Sequence, residues 1–315
     1  MKKLYFAIIF IAIVVCSILV VPLLIQLLSP ASDRTIEKEI AKATEFMAKS
    51  NEPYAILNNN LMYRQFGISQ FSNSLQKYDQ LIATKSDPTL KLFRRVASFD
   101  NPVDPNDFNS VQHDVDKITI PALYSDRRSL PANYSAMLQA GLNGGEYLTT
   151  HTLLATLWLK ENNCTVALPD NFMNSLYVAT AALINNDMNL TDIEIEAAAF
   201  LYQAGQGQLV NSSFIQLVIT NQKPDGGWPA TSIINPNDSY WHSTSLALIL
   251  LLNVDHPSST YRLWLATPQN NQNQAVLNTL EFLPLSACLM LAPAIRLKIA
   301  KQLLSKKTVR YHLYA

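Results

Sequence analysis

Asn221-Gln222-Lys223-Pro224-Asp225-Gly226-Gly227-Trp228, then a polar linker and Asp238-Ser239-Tyr240-Trp241-His242-Ser243-Thr244-Ser245, is the stretch from which the fold can be read. An apolar run at 214–220 leads into it and another at 246–252 leaves it, so the order is helix, tight turn, large aromatic, helix. Asp225-Gly226-Gly227 supplies the positive φ angles that let a chain reverse at once. Trp228 is then expected to pack back over the helix just left. Gln222 is expected to bond the turn amides, and Ser243 or Thr244 to cap the helix that follows.

An earlier stretch repeats this outline. Gly144-Gly145-Glu146-Tyr147 is followed by Leu148-Thr149-Thr150-His151-Thr152 and an apolar run at 153–159. In both units a Gly-Gly turn with an aromatic precedes a His beside hydroxyl residues at a helix start, so His151 and His242 hold the same place. Helical repeats of this kind bury their apolar faces only by stacking on neighbours.

Outward from these two units almost every segment carries helical spacing. Ile36, Ile40, Ala43 and Phe46-Met47 recur on one face, ended by Asn51-Glu52-Pro53. Further runs fall at 54–63, 71–83, 134–140, 172–184, 194–204, 275–283 and 295–304, and none alternates with period two. The fold class is all-α. The stretch 98–131 departs from the pattern, with Asp100, Asp104, Asp107, Asp114, Asp116 and Asp126 among four prolines. It reads as an irregular, solvated acidic loop between two helical halves. An EF-hand is excluded there, because the pattern's central Gly and final Glu are missing.

Gln222-x3-Gly226-Gly227-Trp228, with Leu217-Val218 before it, resembles the repeat of the terpenoid cyclase and protein prenyltransferase superfamily. The resemblance implies an α/α toroid, concentric inner and outer helices around a central cavity, and the helical rhythm of 33–306 suits one such ring. The family's chemistry does not carry over. Squalene-type cyclases use an Asp-x-Asp-Asp acid, and the nearest string, Asp114-Val115-Asp116-Lys117, has Lys in place of an Asp and falls in the 98–131 loop. Protein prenyltransferases bind zinc through an Asp-x-Cys string and a His. Asp-x-Cys is absent, while Asp238-x-Tyr240-x-His242 looks like the His-bearing helix start with one residue added. One ligand of the three that a zinc site needs is therefore in hand.

The candidate catalytic residues are His151 and His242, whose rings would face the mouth of the cavity as acid/base groups or metal ligands, or else cap a helix. Tyr147, Trp228, Tyr240 and Trp241 are candidate cavity aromatics, suited to sugars or isoprenoid chains. Asp225 and Asp238 join them as the nearest carboxylates, and with Glu146 also read as turn or capping groups. Glu194 and Glu196 flank an apolar helix and read as solvated. The sequence names no cofactor and no metal.

Leu4 to Leu28 carries no charged side chain. A helix of that length rises about 37 Å at ~1.5 Å per residue, enough to cross a hydrocarbon core of about 30 Å. It is longer than a signal-peptide core, so residues 1–28 read as an uncleaved anchor and 29–315 as the domain it holds. A short tail with Lys2 and Lys3 before a long domain places that domain outside the cytoplasm, at the cell membrane. Over all 315 residues, 24 Lys+Arg balance 24 Asp+Glu, 49% of residues are hydrophobic and only 15% are charged. That excludes a nucleic-acid partner and wholesale disorder. The three Cys exclude a disulfide scaffold, leaving Cys164 and Cys288 as a pair to be tested. Asn-x-Ser/Thr sites occur at Asn133, Asn163, Asn189, Asn211 and Asn237. Residues 282–295 are too short an apolar run to span and read as a buried helix, and the basic run 296–310 as a solvated helix face.

Three functions follow. The first is a membrane-anchored toroid that binds an apolar (isoprenoid-like) or glycan ligand without the family's catalytic motifs. The second is a lyase or hydrolase centred on His151 and His242, and the third is a scaffold at the membrane surface.

Overall fold

The computed structural model describes residues 32–85, 87–185, 190–229 and 238–257. They all belong to the first of the chain's two units, Met1–Thr267, and the second, Pro268–Ala315, lies outside them. No helix among the described residues is long and apolar enough to cross a membrane. The expected span at 4–28 lies outside the described residues, as do Cys288, Asn189, Asn237 and the runs from 275 to 310.

The described chain is mostly helical, as the spacing predicts. Helices α1 (Ser32–Ala48), α2 (Pro53–Phe66), α3 (Ser74–Thr84) and α4 (Pro88–Phe93) come first. Then follow α5 (Asp114–Leu123), α6 (Tyr134–Gly141), α7 (Glu146–Glu161) and α8 (Phe172–Ala181). The last are α9 (Asp192–Gln203), α10 (Ser212–Thr220) and α11 (Trp241–Asp255). Local chemistry sets the ends. Pro53 starts α2, and Gly67, at φ +72°, ends it by donating its N–H to the Tyr63 carbonyl. Thr191 and Glu194 form a reciprocal capping box on α9.

Two kinds of helix alternate. On α1, α3, α6, α8 and α10 burial follows one face, such as Phe172, Leu176 and Thr180 on α8. On α9 every residue except Tyr202 is buried, and on α11 all of 243–253 are. A helix apolar all round belongs inside, while one with a single apolar stripe lies against a core with its other face in water. The side chains of α2, α5, α7, α9 and α11 line one cavity, together with Phe93 and Val96 around the end of α4. The one-sided helices pack behind them, α3 on α2, α6 and α8 on α7, and α1 on α11.

Trp228 packs as expected. It is fully buried and donates its indole N–H to the Val218 carbonyl of α10 at 2.7 Å. Other details of the hairpin differ from expectation. Gln222 donates to carbonyls, Gly226 O at 3.1 Å and Glu39 O of α1 at 2.7 Å, rather than accepting from turn amides. Neither Ser243 nor Thr244 caps α11. Thr244 Oγ1 accepts from the Trp228 N–H and donates to the Tyr240 carbonyl, and Ser243 is turned toward Asp192. The hairpin also closes a two-residue antiparallel pair, β1 (Trp228–Pro229) with β2 (Ser239–Tyr240).

The stretch 98–131 is not an irregular loop. It contains a 3₁₀ turn at Pro105–Ser110 and the cavity-lining helix α5. Pro121 stands eighth in α5, where its missing N–H removes only a bond near the end of the helix. Asp114 and Asp116 occupy the first turn, where the helix dipole favours carboxylates. Asn162, at the C-terminal end of α7, caps the far end, its amide donating to the Ala122 and Leu123 carbonyls. Asp126 is likewise held, with both oxygens 2.7 Å from the fully buried guanidinium of Arg95.

Candidate functional site

The cavity-lining helices all begin at one end of the cavity. Tyr54, Asp116, His151, Glu196 and His242 lie in the first or second turns of α2, α5, α7, α9 and α11, and all five line it. Deeper along the same helices the wall is mainly apolar, with Leu61, Leu154, Trp158, Phe200, Leu246 and Ile249, and Asn58, Thr119 and Gln203 are its polar members. The space is about 350 Å³. The result is a small aromatic and aliphatic cavity with one titratable pole.

At that pole carboxylates and imidazoles alternate. Asp192 Oδ2 accepts from His242 Nδ1 at 2.8 Å and from the Tyr147 hydroxyl at 3.1 Å. His242 Nε2 lies 3.6 Å from Glu196 Oε2. Glu196 Oε1 accepts from the Thr150 hydroxyl and stands 3.3 Å from His151 Nδ1. His151 Nδ1 also sits 2.9 Å from the Tyr147 carbonyl, closing the circuit. The Tyr147 carbonyl can only accept, so the neutral His151 ring carries its proton on Nδ1 and keeps the Nε2 lone pair free. The Asp192 carboxylate orders His242 in the same way.

The electrostatics follow from burial and pairing. Burial alone would lower the pKa of His242, but the hydrogen bond and charge of Asp192, with the charge of Glu196, raise it above the ordinary imidazole value. Burial likewise acts to lower His151, and Glu196 with the Tyr147 carbonyl outweighs it, so its pKa also stands raised. Burial would raise Asp192, yet the bonds from His242, Ser243 and Tyr147 hold it below the usual carboxylate range. Asp116 has no such partners, and burial pushes its carboxyl up against the opposing pull of His113 and His151. Groups driven apart in this way can divide the roles of acid and base.

Asp192, Glu196 and His242 each offer a donor atom within 4.8 Å of the others, the only such group of three or more His, Cys, Asp or Glu among the described residues. The Asp192 oxygens are engaged by three donors, whereas Glu196 Oε2 is buried with no hydrogen-bond partner.

The structure brings the two expected histidines together through Glu196. Of the candidate cavity residues, Trp241 lines the space, its ring near-parallel to Tyr54 at 6.3 Å. Tyr240 is half-buried beside Trp241 and His242. Tyr147 touches the pole through Asp192 while remaining 40% exposed. Trp228 is sealed in the hairpin, away from the cavity lining. Asp225 holds the turn, accepting from the Gly227 N–H and the Ser239 hydroxyl, and Asp238 is exposed before β2.

Glu194 and Glu196, expected to be solvated, are 2% and 0% exposed, Glu194 in the capping box and Glu196 at the centre of the site. Asp192 and Asp116 also belong to the site without a motif that marks them, Asp116 lying in a stretch whose composition suggests a loop but which forms α5. Helical spacing does not mark the α9 pair either. At about 3.6 residues per turn Ile193, Ile195, Ala197, Ala198, Phe200 and Leu201 leave one sector of the helix open, and Asp192, Glu196 and Gln203 share it, which looks like a solvated face.

No family model, no curated protein and no solved structure matches the chain.

Proposed function

We propose that the chain is an enzyme of the lyase or hydrolase class, built as an α/α toroid and held at the membrane by residues 4–28. In this reading it takes a small, largely apolar substrate into its central cavity. The observation that carries it is the meeting of His151 and His242, from different helices, on the buried Glu196 at the titratable pole of an aromatic cavity. Parallel starts of the cavity-lining helices, with one-sided helices packed behind, support the toroid. The apolar wall below the pole favours an isoprenoid-like ligand over a glycan.

His151 Nε2 is the base that draws a proton from water or from a carbon acid, with Nδ1 anchored on Glu196 and the Tyr147 carbonyl. His242, anchored on Asp192 and raised above the ordinary imidazole value, completes the pair and as its imidazolium supplies a proton to the leaving group. General acid–base groups of this kind contribute about 10²–10⁴-fold in rate. The hydrolytic form is tested with p-nitrophenyl octanoate and the full chain in detergent. The expected result is turnover that falls about 10²–10⁴-fold in His151→Ala and in His242→Ala. Turnover equal in wild type and both variants would leave a binding module or a scaffold. Tethering is tested by alkaline carbonate extraction, in which the full chain stays with the membrane pellet.

A second reading makes Asp192, Glu196 and His242 ligands of a divalent cation. The partnerless Glu196 Oε2 favours it, because 3.6 Å from His242 Nε2 is near the roughly 3.3 Å that separates two ligands of one zinc ion held at about 2.0 Å. Metal analysis of the purified chain decides. Stoichiometric zinc that disappears in Glu196→Gln supports this reading, and a metal-free chain that keeps its esterase activity ends it.

A further inference from the structure

A second polar atom without a partner lies on the same face of α9. Gln203 lines the cavity, is 7% exposed, and its Oε1 has no hydrogen-bond partner. Glu196, 0% exposed, presents Oε2 in the same condition. The two residues are seven apart, two helical turns, so they share a face about 10 Å apart at ~1.5 Å per residue. Phe200 stands between them on that face and also lines the cavity, with Leu154 and Trp158 of α7 among the other walls.

A buried acceptor left without a donor costs roughly 1–3 kcal/mol. Glu196 Oε2 has only His242 Nε2 near it, at 3.6 Å and beyond hydrogen-bond length, and Gln203 Oε1 has no hydrogen-bond partner, so two such acceptors on residues lining one small cavity make an arrangement that a ligand would complete. Glu196 Oε2 can only accept when ionised. The Gln203 amide can turn to present either its oxygen or its NH₂, and a hydroxyl satisfies both orientations. Between these ends the wall calls for an apolar body. We propose that the cavity takes an elongated, apolar molecule with a hydroxyl group at each end, about 10 Å apart, one bonded to Glu196 and the other to Gln203. This rests on the ligand-filled cavity of the proposed function and adds the second polar anchor and the spacing.

The probes are 1,8-octanediol and 1-octanol, matched in apolar length and differing in the second hydroxyl. Binding to the EDTA-treated full chain is followed by isothermal titration and by ¹H–¹⁵N spectra, with EDTA present so that no cation occupies Glu196. The expected result is that the diol binds at least fivefold more tightly than the mono-alcohol. In Gln203→Leu the preference vanishes while 1-octanol still binds, and in Gln203→Asn, which keeps an amide on a shorter arm, part of the preference returns. If the mono-alcohol and the diol bind equally to the wild type, the two-ended ligand is wrong and the apolar cavity stands. If neither alcohol binds a chain that shows native spectra, the ligand-filled cavity falls as well. A preference that survives Gln203→Leu assigns the second anchor elsewhere and overturns the proposal.

Discussion

The two Gly-Gly units, 144–151 and 226–242, begin alike and are wired differently. In the first, Gly145 at φ +103° leads directly into α7, and an added Cβ there would meet nothing within 4 Å. Its aromatic, Tyr147, stays in the helix and reaches across to Asp192, and His151 follows in the second turn. In the second unit, Gly226 at φ +93° lies so close to α1 that a Cβ would come 2.3 Å from the Lys42 carbonyl oxygen. Its aromatic, Trp228, is driven into the core, and thirteen residues intervene before His242, second in α11. The two histidines are therefore not in equivalent helical positions. They still converge on Glu196, because each unit only has to deliver an imidazole to the pole, by whatever local route. The first unit serves the site and the second also serves the fold.

The comparison predicts a ranking. Trp228→Ala should be the most damaging change, about 3–5 kcal/mol in urea unfolding, because it opens a large void and strips the Val218 carbonyl of its donor. Tyr147, 40% exposed, should show nothing comparable. Gly226→Ala should cost about 2–4 kcal/mol, adding a backbone clash with Lys42 to the left-handed strain. Gly145→Ala should cost only about 1–2 kcal/mol, from strain alone. Equal losses in the two glycine variants would mean that the close approach to α1 is not rigid.

The pH dependence sharpens the same contrast, since the titratable ring is tied to the first unit through Tyr147. The folded pKa of each histidine is raised above the ordinary imidazole value of 6.5 by its carboxylate partners. Their stabilisation is therefore complete below 6.5 and is lost as pH rises through the raised values. Asp192, lowered from 3.8, contributes above that value and loses its contribution as pH falls through its folded pKa. Asp116, raised from 3.8 by burial, adds a decline in the same sense as the histidines from 3.8 upward. Urea midpoints should thus fall above pH 6.5, and His242→Gln should flatten that limb and move the acid limb to higher pH. The smallest effect is expected from Tyr147→Phe, about 0.5–1.5 kcal/mol, with the Asp192 carboxyl titrating at higher pH in carbon-detected spectra.

The helical class and the Trp228 packing could be read from spacing, whereas the meeting of His151 with His242 could not, since the matching Gly-Gly turns suggest equivalent helix starts and the two stand sixth and second in their helices. Glu196 could not be found that way. Asp192, Glu196 and Gln203 share one sector of α9 and look in sequence like a solvated edge, and it is the packing of α9 among its neighbours that buries them. Asp116 was hidden by composition, since four prolines and six aspartates look like a loop when the prolines are counted and their positions ignored. Pro121 sits where a helix can absorb it. The wiring of Gln222 lay beyond the sequence for a different reason, since its main partner is a carbonyl 183 positions away.

That last bond constrains how the protein can be made. The Gln222 amide and the close approach of Gly226 to Lys42 fasten α1 to a hairpin that leaves the ribosome long after it, and Asn58 waits likewise for Ser245. Long-range closures are slow to form. Until the hairpin emerges, the nascent chain holds α1 and α2 with their inward faces bare, so a message truncated before codon 222 should yield a product that chaperones retain or proteases clear.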